Sequence, residues 1–126
     1  MKQYITVEQL KELDLRAFSK LYKLVRVITN ASLKQIHNIY SSMKSEKGFS
    51  ANTLVREITI GMMIEILGDG YYPNIGKDSD KLTCEWWQVD LFETSFSDEA
   101  FNKIKTFHSA ELIDALWEAV KYSLTL

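Results

Sequence analysis

The chain has 126 residues, 46% hydrophobic and 12% aromatic, with five glycines and one proline. That is enough to bury a core as one domain over residues 1–126, and it lacks the composition of a linker or a disordered tail. The formal net charge is −2, but it is divided: residues 1–56 carry ten Lys/Arg against four Asp/Glu, a formal +6, and residues 57–126 carry five against thirteen, a formal −8. A basic half followed by an acidic half suits contact with something of opposite sign, whether a partner protein, nucleic acid or a second copy.

Cys84 is the only cysteine, which excludes an intrachain disulfide framework and fits a reducing compartment. No basic stretch followed by an apolar run and a cleavage site opens the chain, and no apolar stretch approaches the roughly 20 residues that span a bilayer. The expectation is a cytoplasmic protein, neither secreted nor membrane-spanning. No internal repeat is visible.

In chain order, Thr6 and Gln9 form a capping-box pair ahead of Val7, Leu10 and Leu13, which predicts a short first helix. Asp14 can cap a longer one, in which Leu15, Phe18, Leu21, Tyr22, Val25 and Ile28 recur at helical spacing. Its opposite side carries a basic stripe, Arg16, Lys20, Lys23 and Arg26. After a break at Asn30–Ser32, Leu33, Ile36, Tyr40 and Met43 continue a helical period to about Ser45, and Gly48 stops it. Thr59 can cap a helix that is apolar almost all round, through Ile60, Met62, Met63, Ile64, Ile66 and Leu67, and so belongs in a core or an interface.

From Gly68 to Lys81 the residues Gly, Asp, Asn, Pro and Ser cluster, and this stretch reads as a loop. Alternation around Trp87, Val89 and Leu91 predicts a strand over 83–93. Its partner is either Tyr71–Ile75, across an Asp78-Ser79-Asp80 turn, or Lys103–Phe107, and the pattern does not choose. Ser97 with Asp98 and Glu99 can start a short helix. Ser109 is expected to cap the last helix, Ala110–Leu124, which buries Leu112, Ile113, Leu116, Trp117, Val120 and Leu124 and leaves Glu111, Asp114, Glu118 and Lys121 outside. The fold class expected is α+β: a predominantly helical domain, with the N-terminal helices and the last helix packed around a small antiparallel sheet or hairpin.

The chemistry-bearing residues argue mainly by what they lack. Cys84, His37 and His108 form no nucleophile–base motif, and Asp114 with Glu118 reads as an ordinary solvated helix face. There is no zinc ligand set, no EF-hand around Asp78-Ser79-Asp80 and no glycine-rich phosphate loop. No catalytic residue, metal or cofactor is therefore expected. Adjacent Trp86 and Trp87 must point to opposite faces of a strand, so one of them is free to anchor a contact, with Asp90 and Glu93 beside it. The nearby acids, Asp78, Asp80, Glu85, Asp90, Glu93, Asp98 and Glu99, could compete for a cationic groove. The stripe Arg16, Lys20, Lys23 and Arg26 could instead track phosphates, or simply be a solvated face.

Three segments, Ile5–Leu10, Thr59–Asp69 and Glu111–Lys121, resemble small uncharacterised proteins encoded by phages and prophages of Gram-positive bacteria. The resemblance covers about a quarter of the chain, and its positions look like helix caps and core, so no activity transfers residue by residue. It implies an accessory protein of a mobile element, many of which bind and block a host defence component. The combined expectation is a non-enzymatic inhibitor or adaptor of a bacterial protein, of the anti-defence or anti-CRISPR kind, whose target could be a defence nuclease complex. The alternative is a nucleic-acid-binding regulator that uses the basic helix, and the opposed halves suggest a two-fold dimer.

Overall fold

The computed structural model describes residues 3–26, 33–45, 51–68, 70–78, 86–93 and 102–125. Among the described residues six helices and a three-stranded sheet follow in the order α1 (Val7–Leu10), α2 (Leu15–Arg26), α3 (Leu33–Ser45), α4 (Ala51–Glu57), α5 (Ile60–Gly68), β1 (Tyr71–Asp78), β2 (Trp86–Glu93), β3 (Asn102–Ser109) and α6 (Leu112–Leu124). This is a predominantly helical α+β fold with a small antiparallel sheet.

The N-terminal signals work as the local chemistry requires. Thr6 and Gln9 close a reciprocal capping box: the Gln9 N–H donates to Thr6 Oγ1 at 3.1 Å and the Thr6 N–H donates to Gln9 Oε1 at 2.8 Å. Asp14 Oδ1 accepts the Ala17 N–H at 2.7 Å and starts α2. Thr59 Oγ1 accepts the Met62 N–H at 3.1 Å and starts α5.

The sheet has the order β1-β2-β3 with both pairings antiparallel, so both candidate partners of the central strand are real. Several expectations are corrected. The segment expected as a loop over 68–81 contains β1. Pro73 misled the reading, because proline cannot donate to a ladder; it is tolerated here since β1 is an edge strand paired on one side only. The last helix begins at Leu112 with Glu111 as its N-cap, not at Ala110 behind Ser109, because β3 runs on through Ser109. The short helix α4 was not anticipated; seven residues hold too few turns to display a period, although Leu54 and Val55 are buried. The Asp78-Ser79-Asp80 turn, the break at Asn30–Ser32, Gly48, Cys84 and the Ser97 helix start all involve residues outside those described.

The core runs from Ile5 and Leu10 through Phe18, Leu21, Ile36, Met43, Leu54, Ile58, Met63 and Leu67 to Val89, Leu91 and nearly the whole inner side of α6. Among the described residues α5 and α6 make the extensive contacts with the sheet; α2 packs on α6 and α3, and α1 on α4. The N-terminal helices thus form a further layer behind α6 rather than a wrapping around the sheet. Helix α5 is not buried all round: Met63, Ile66 and Leu67 face the core while Ile64 is 37% exposed. Asp114 is not outside either, since it is half-buried and accepts a hydrogen bond from Gln9 Nε2 at 2.9 Å, pinning α1 to α6.

Candidate functional site

Side chains alternate along a strand, so the register sorts the sheet into two faces. Tyr71, Ile75, Trp87, Val89, Leu91 and Phe107 share the face turned to α5 and α6. The opposite face carries Tyr72, Asn74 and Gly76 on β1, Phe92, Asp90 and Gln88 on β2, and Thr106 and His108 on β3. By backbone parity Trp86 occupies an outer-face position as well.

This outer face has an aromatic end and a polar centre. Tyr72 and Phe92 are directly opposed across the strands, with ring centroids 6.5 Å apart and planes tilted by 56°. Tyr72 is 54% exposed, the most exposed large hydrophobic side chain among the described residues. Next to the pair, Asp90 is a buried carboxylate, and burying a charge is tolerable only when hydrogen bonds replace its water. Gln88 Nε2 donates to both of its oxygens, at 3.1 and 3.0 Å, and Thr106 Oγ1 donates at 2.5 Å. Gln88 Oε1 lies 3.2 Å from His108 Nε2, extending the chain to the edge strand. Beside Gly76, where no side chain stands, a polar depression of about 160 Å³ opens between Asn74, Lys77, Gln88 and Asp90.

The register puts Trp86 and Trp87 at positions of opposite parity, as β geometry requires, and it also separates Asp90 from Glu93. Asp90 belongs to the outer face and position 86 has the same parity, whereas Trp87 and Glu93 share the parity of the inner one. Trp87 is half-buried against the core, with Lys77 Nζ 4.9 Å from its ring. Glu93 is exposed at the end of β2; Tyr71, its partner across the strands, has its hydroxyl pKa raised by burial first, then by the charge of Glu93 and by Tyr122. Asp90 is the centre of a satisfied network rather than an exposed acid. The sequence reading missed Tyr72, Gln88, Phe92, Thr106 and His108 as one surface, because only the strand register brings them together.

The basic stripe is also divided. Arg16 and Lys23 are exposed, and Arg26 is the last residue of α2. Lys20 is half-buried, and its Nζ donates to the Leu124 carbonyl at 3.4 Å, where a cation offsets the negative end of α6. Lys20 and Lys23 edge a groove of about 360 Å³, walled by Leu24 of α2, Ile66 of α5 and Leu124 of α6, with Tyr71 and Ser123 also lining it.

The carboxylates on α6 are structurally engaged: Asp114 by Gln9, and Glu118 by Lys121 at 2.9 Å, Lys121 also pairing with Glu12. His37 is exposed on α3 and His108 belongs to the sheet network. Among the described residues no group of three or more His, Cys, Asp or Glu is placed to hold a metal ion, and no helix is long and apolar enough to cross a membrane. No known protein family, curated protein or solved structure matches the chain.

Proposed function

We propose that the protein is a non-enzymatic accessory protein of a phage or mobile element that binds a bacterial host protein in the cytoplasm and inhibits or adapts it. Defence components, nuclease complexes of the CRISPR kind among them, are the target class. The observation that carries the reading is the outer sheet face, where a half-exposed Tyr72 stands over Phe92 beside a fully hydrogen-bonded polar centre. A large, stiff aromatic group flanked by polar groups that already have partners is the chemistry of an interface anchor, because docking on it strands no buried donor.

Size constrains how the contact is made. Three strands of eight residues span about 26 Å by about 14 Å, roughly 370 Å² of footprint. That is about half of the ~800 Å² per partner in a standard stable interface, so the partner reaches beyond the sheet onto its flanks. Trp86, at an outer-face position, lies at the end of β2 where such an extension starts.

The test is an affinity pull-down of the tagged chain from bacterial lysate, followed by binding of the captured protein to variants. Replacing Tyr72 or Trp86 by Ala is expected to cost about 2 kcal/mol or more of binding. Near-unchanged affinity after Tyr72, Trp86 and Phe92 have all been replaced, with the fold intact, removes the sheet face from the contact. The second reading, a nucleic-acid-binding regulator, rests on Arg16 and Lys23 standing exposed on α2. It requires an affinity that falls by orders of magnitude between about 50 and 200 mM salt, which an aromatic protein contact does not show. The opposed charges of the two halves support association of two copies, and a light-scattering mass equal to one chain dismisses that feature.

A further inference from the structure

We infer that the groove between α2, α5 and α6 is a binding site for a small amphipathic carboxylate, its headgroup at Lys23 and its apolar body against Leu24, Ile66 and Leu124. The site is distinct from the outer sheet face and does not depend on the protein-binding reading.

Three features of the groove converge. At about 360 Å³ it lies at the small end of ligand sites, too small for a large cofactor and large enough for a medium-length chain or one aromatic ring. Its walls are predominantly apolar, and Leu24 at the mouth is 39% exposed, so an apolar body entering it removes surface that now meets water. The polar residues among its lining are few: Lys20, Lys23, Tyr71 and Ser123.

The charges indicate which headgroup fits. Lys20 already donates to the Leu124 carbonyl and offsets the partial negative charge where α6 ends. Lys23, exposed one turn further along α2, is the more accessible of the two cations for a ligand headgroup. A carboxylate on an apolar body matches both the cationic residues and the apolar walls, whereas inorganic phosphate matches only the charge and a neutral amphiphile only the walls. The Tyr71 hydroxyl is protonated at neutral pH, as a phenol is, so it can act as a donor to a carboxylate. Ser123 donates to the Val120 carbonyl at 2.7 Å, which leaves its oxygen as an acceptor only.

The experiment is a titration of the intact chain with decanoate, decanol and inorganic phosphate in parallel, followed by the methyl resonances of Leu24, Ile66 and Leu124. Decanoate is expected to saturate those signals with a dissociation constant of about 0.1–1 mM. Lys23→Gln, an exposed position that leaves the core untouched, is expected to weaken decanoate about 5-fold while leaving decanol unaffected. Leu24→Ser is expected to weaken both. Decanol binding as tightly as decanoate, or Lys23→Gln binding decanoate like the parent chain, overturns the headgroup assignment. The absence of saturable shifts at these methyls up to about 5 mM decanoate, or a response to phosphate alone, overturns the site.

Discussion

Replacing Asp90 by alanine tests whether the polar centre of the outer sheet face is a satisfied unit. The carboxylate is buried and accepts from two side chains, Gln88 Nε2 on both oxygens and Thr106 Oγ1. Hydrogen bonds to a charged group are worth about 1.5–3 kcal/mol each, an upper bound near 3–6 kcal/mol for the two donors. Two effects reduce it. Gln88 and Thr106 are only half-buried, so both can turn to water, and the desolvation of the carboxylate itself disappears with it. The expected loss is about 2 kcal/mol in urea unfolding. With an unfolding entropy of about 0.26 kcal/mol/K for 126 residues, that lowers Tm by about 8 °C. A double-mutant cycle with Thr106→Val isolates the pair and is expected to give a coupling of about 1 kcal/mol. A loss below about 0.5 kcal/mol, or strict additivity of the two substitutions, refutes the network as described.

Thr6→Ala removes one half of the capping box and is expected to cost about 1 kcal/mol, measured by chemical unfolding. Trp117 is fully buried, and its Nε1–H has no hydrogen-bond partner among the described residues. Trp117→Ala is therefore expected to lose about 3–5 kcal/mol by cavity formation, and Trp117→Phe much less, because it also removes the unpartnered donor. The Lys121 ammonium is desolvated, which lowers its pKa, but hydrogen bonds and charge from Glu118 and Glu12 outweigh this and raise it above 10.5; Tyr71 is raised above 10.0. For both groups the folded value exceeds the unfolded one, so their contribution is complete below about pH 10 and is lost as pH rises through the folded values. Unfolding midpoints are expected to fall above pH 10, and to fall less steeply in Lys121→Met and Tyr71→Phe; a parent curve that is flat to pH 11 contradicts the assignment.

What the sequence disclosed follows from how local each signal is. Helices α2, α3 and α6 announce themselves because 12 or 13 residues hold enough turns to display a period. Helix α4, with seven residues, does not. Strand β1 was only half legible: Tyr71–Ile75 stood as one of two candidate partners of the central strand, while Pro73, Asn74 and Gly76 read as a loop and are acceptable only because β1 lies at an edge, a tertiary fact. The start of α6 was misplaced by two residues, since Ser109 is a good cap that the end of β3 had already claimed.

The candidate site was legible only in part, for the same reason. Opposite parity of Trp86 and Trp87 follows from β geometry alone. The pairing of Tyr72 with Phe92, the burial of Asp90 and its bonds to Gln88 and Thr106 need the register of three strands. The spacing of Arg16, Lys20 and Lys23 was correct, but it could not reveal that Lys20 turns to the end of α6.

The most direct test of a protein-binding sheet face compares two surface variants in one pull-down from nuclease-treated bacterial lysate at about 500 mM salt, where phosphate-driven binding is suppressed. One variant is Tyr72→Ala/Phe92→Ala, the other Arg16→Gln/Lys23→Gln. A stoichiometric host protein retained by the parent chain and by the α2 variant, and lost from the sheet variant, is the expected result. Equal retention by the sheet variant, or recovery of nothing except nucleic acid in untreated lysate at low salt, contradicts the account.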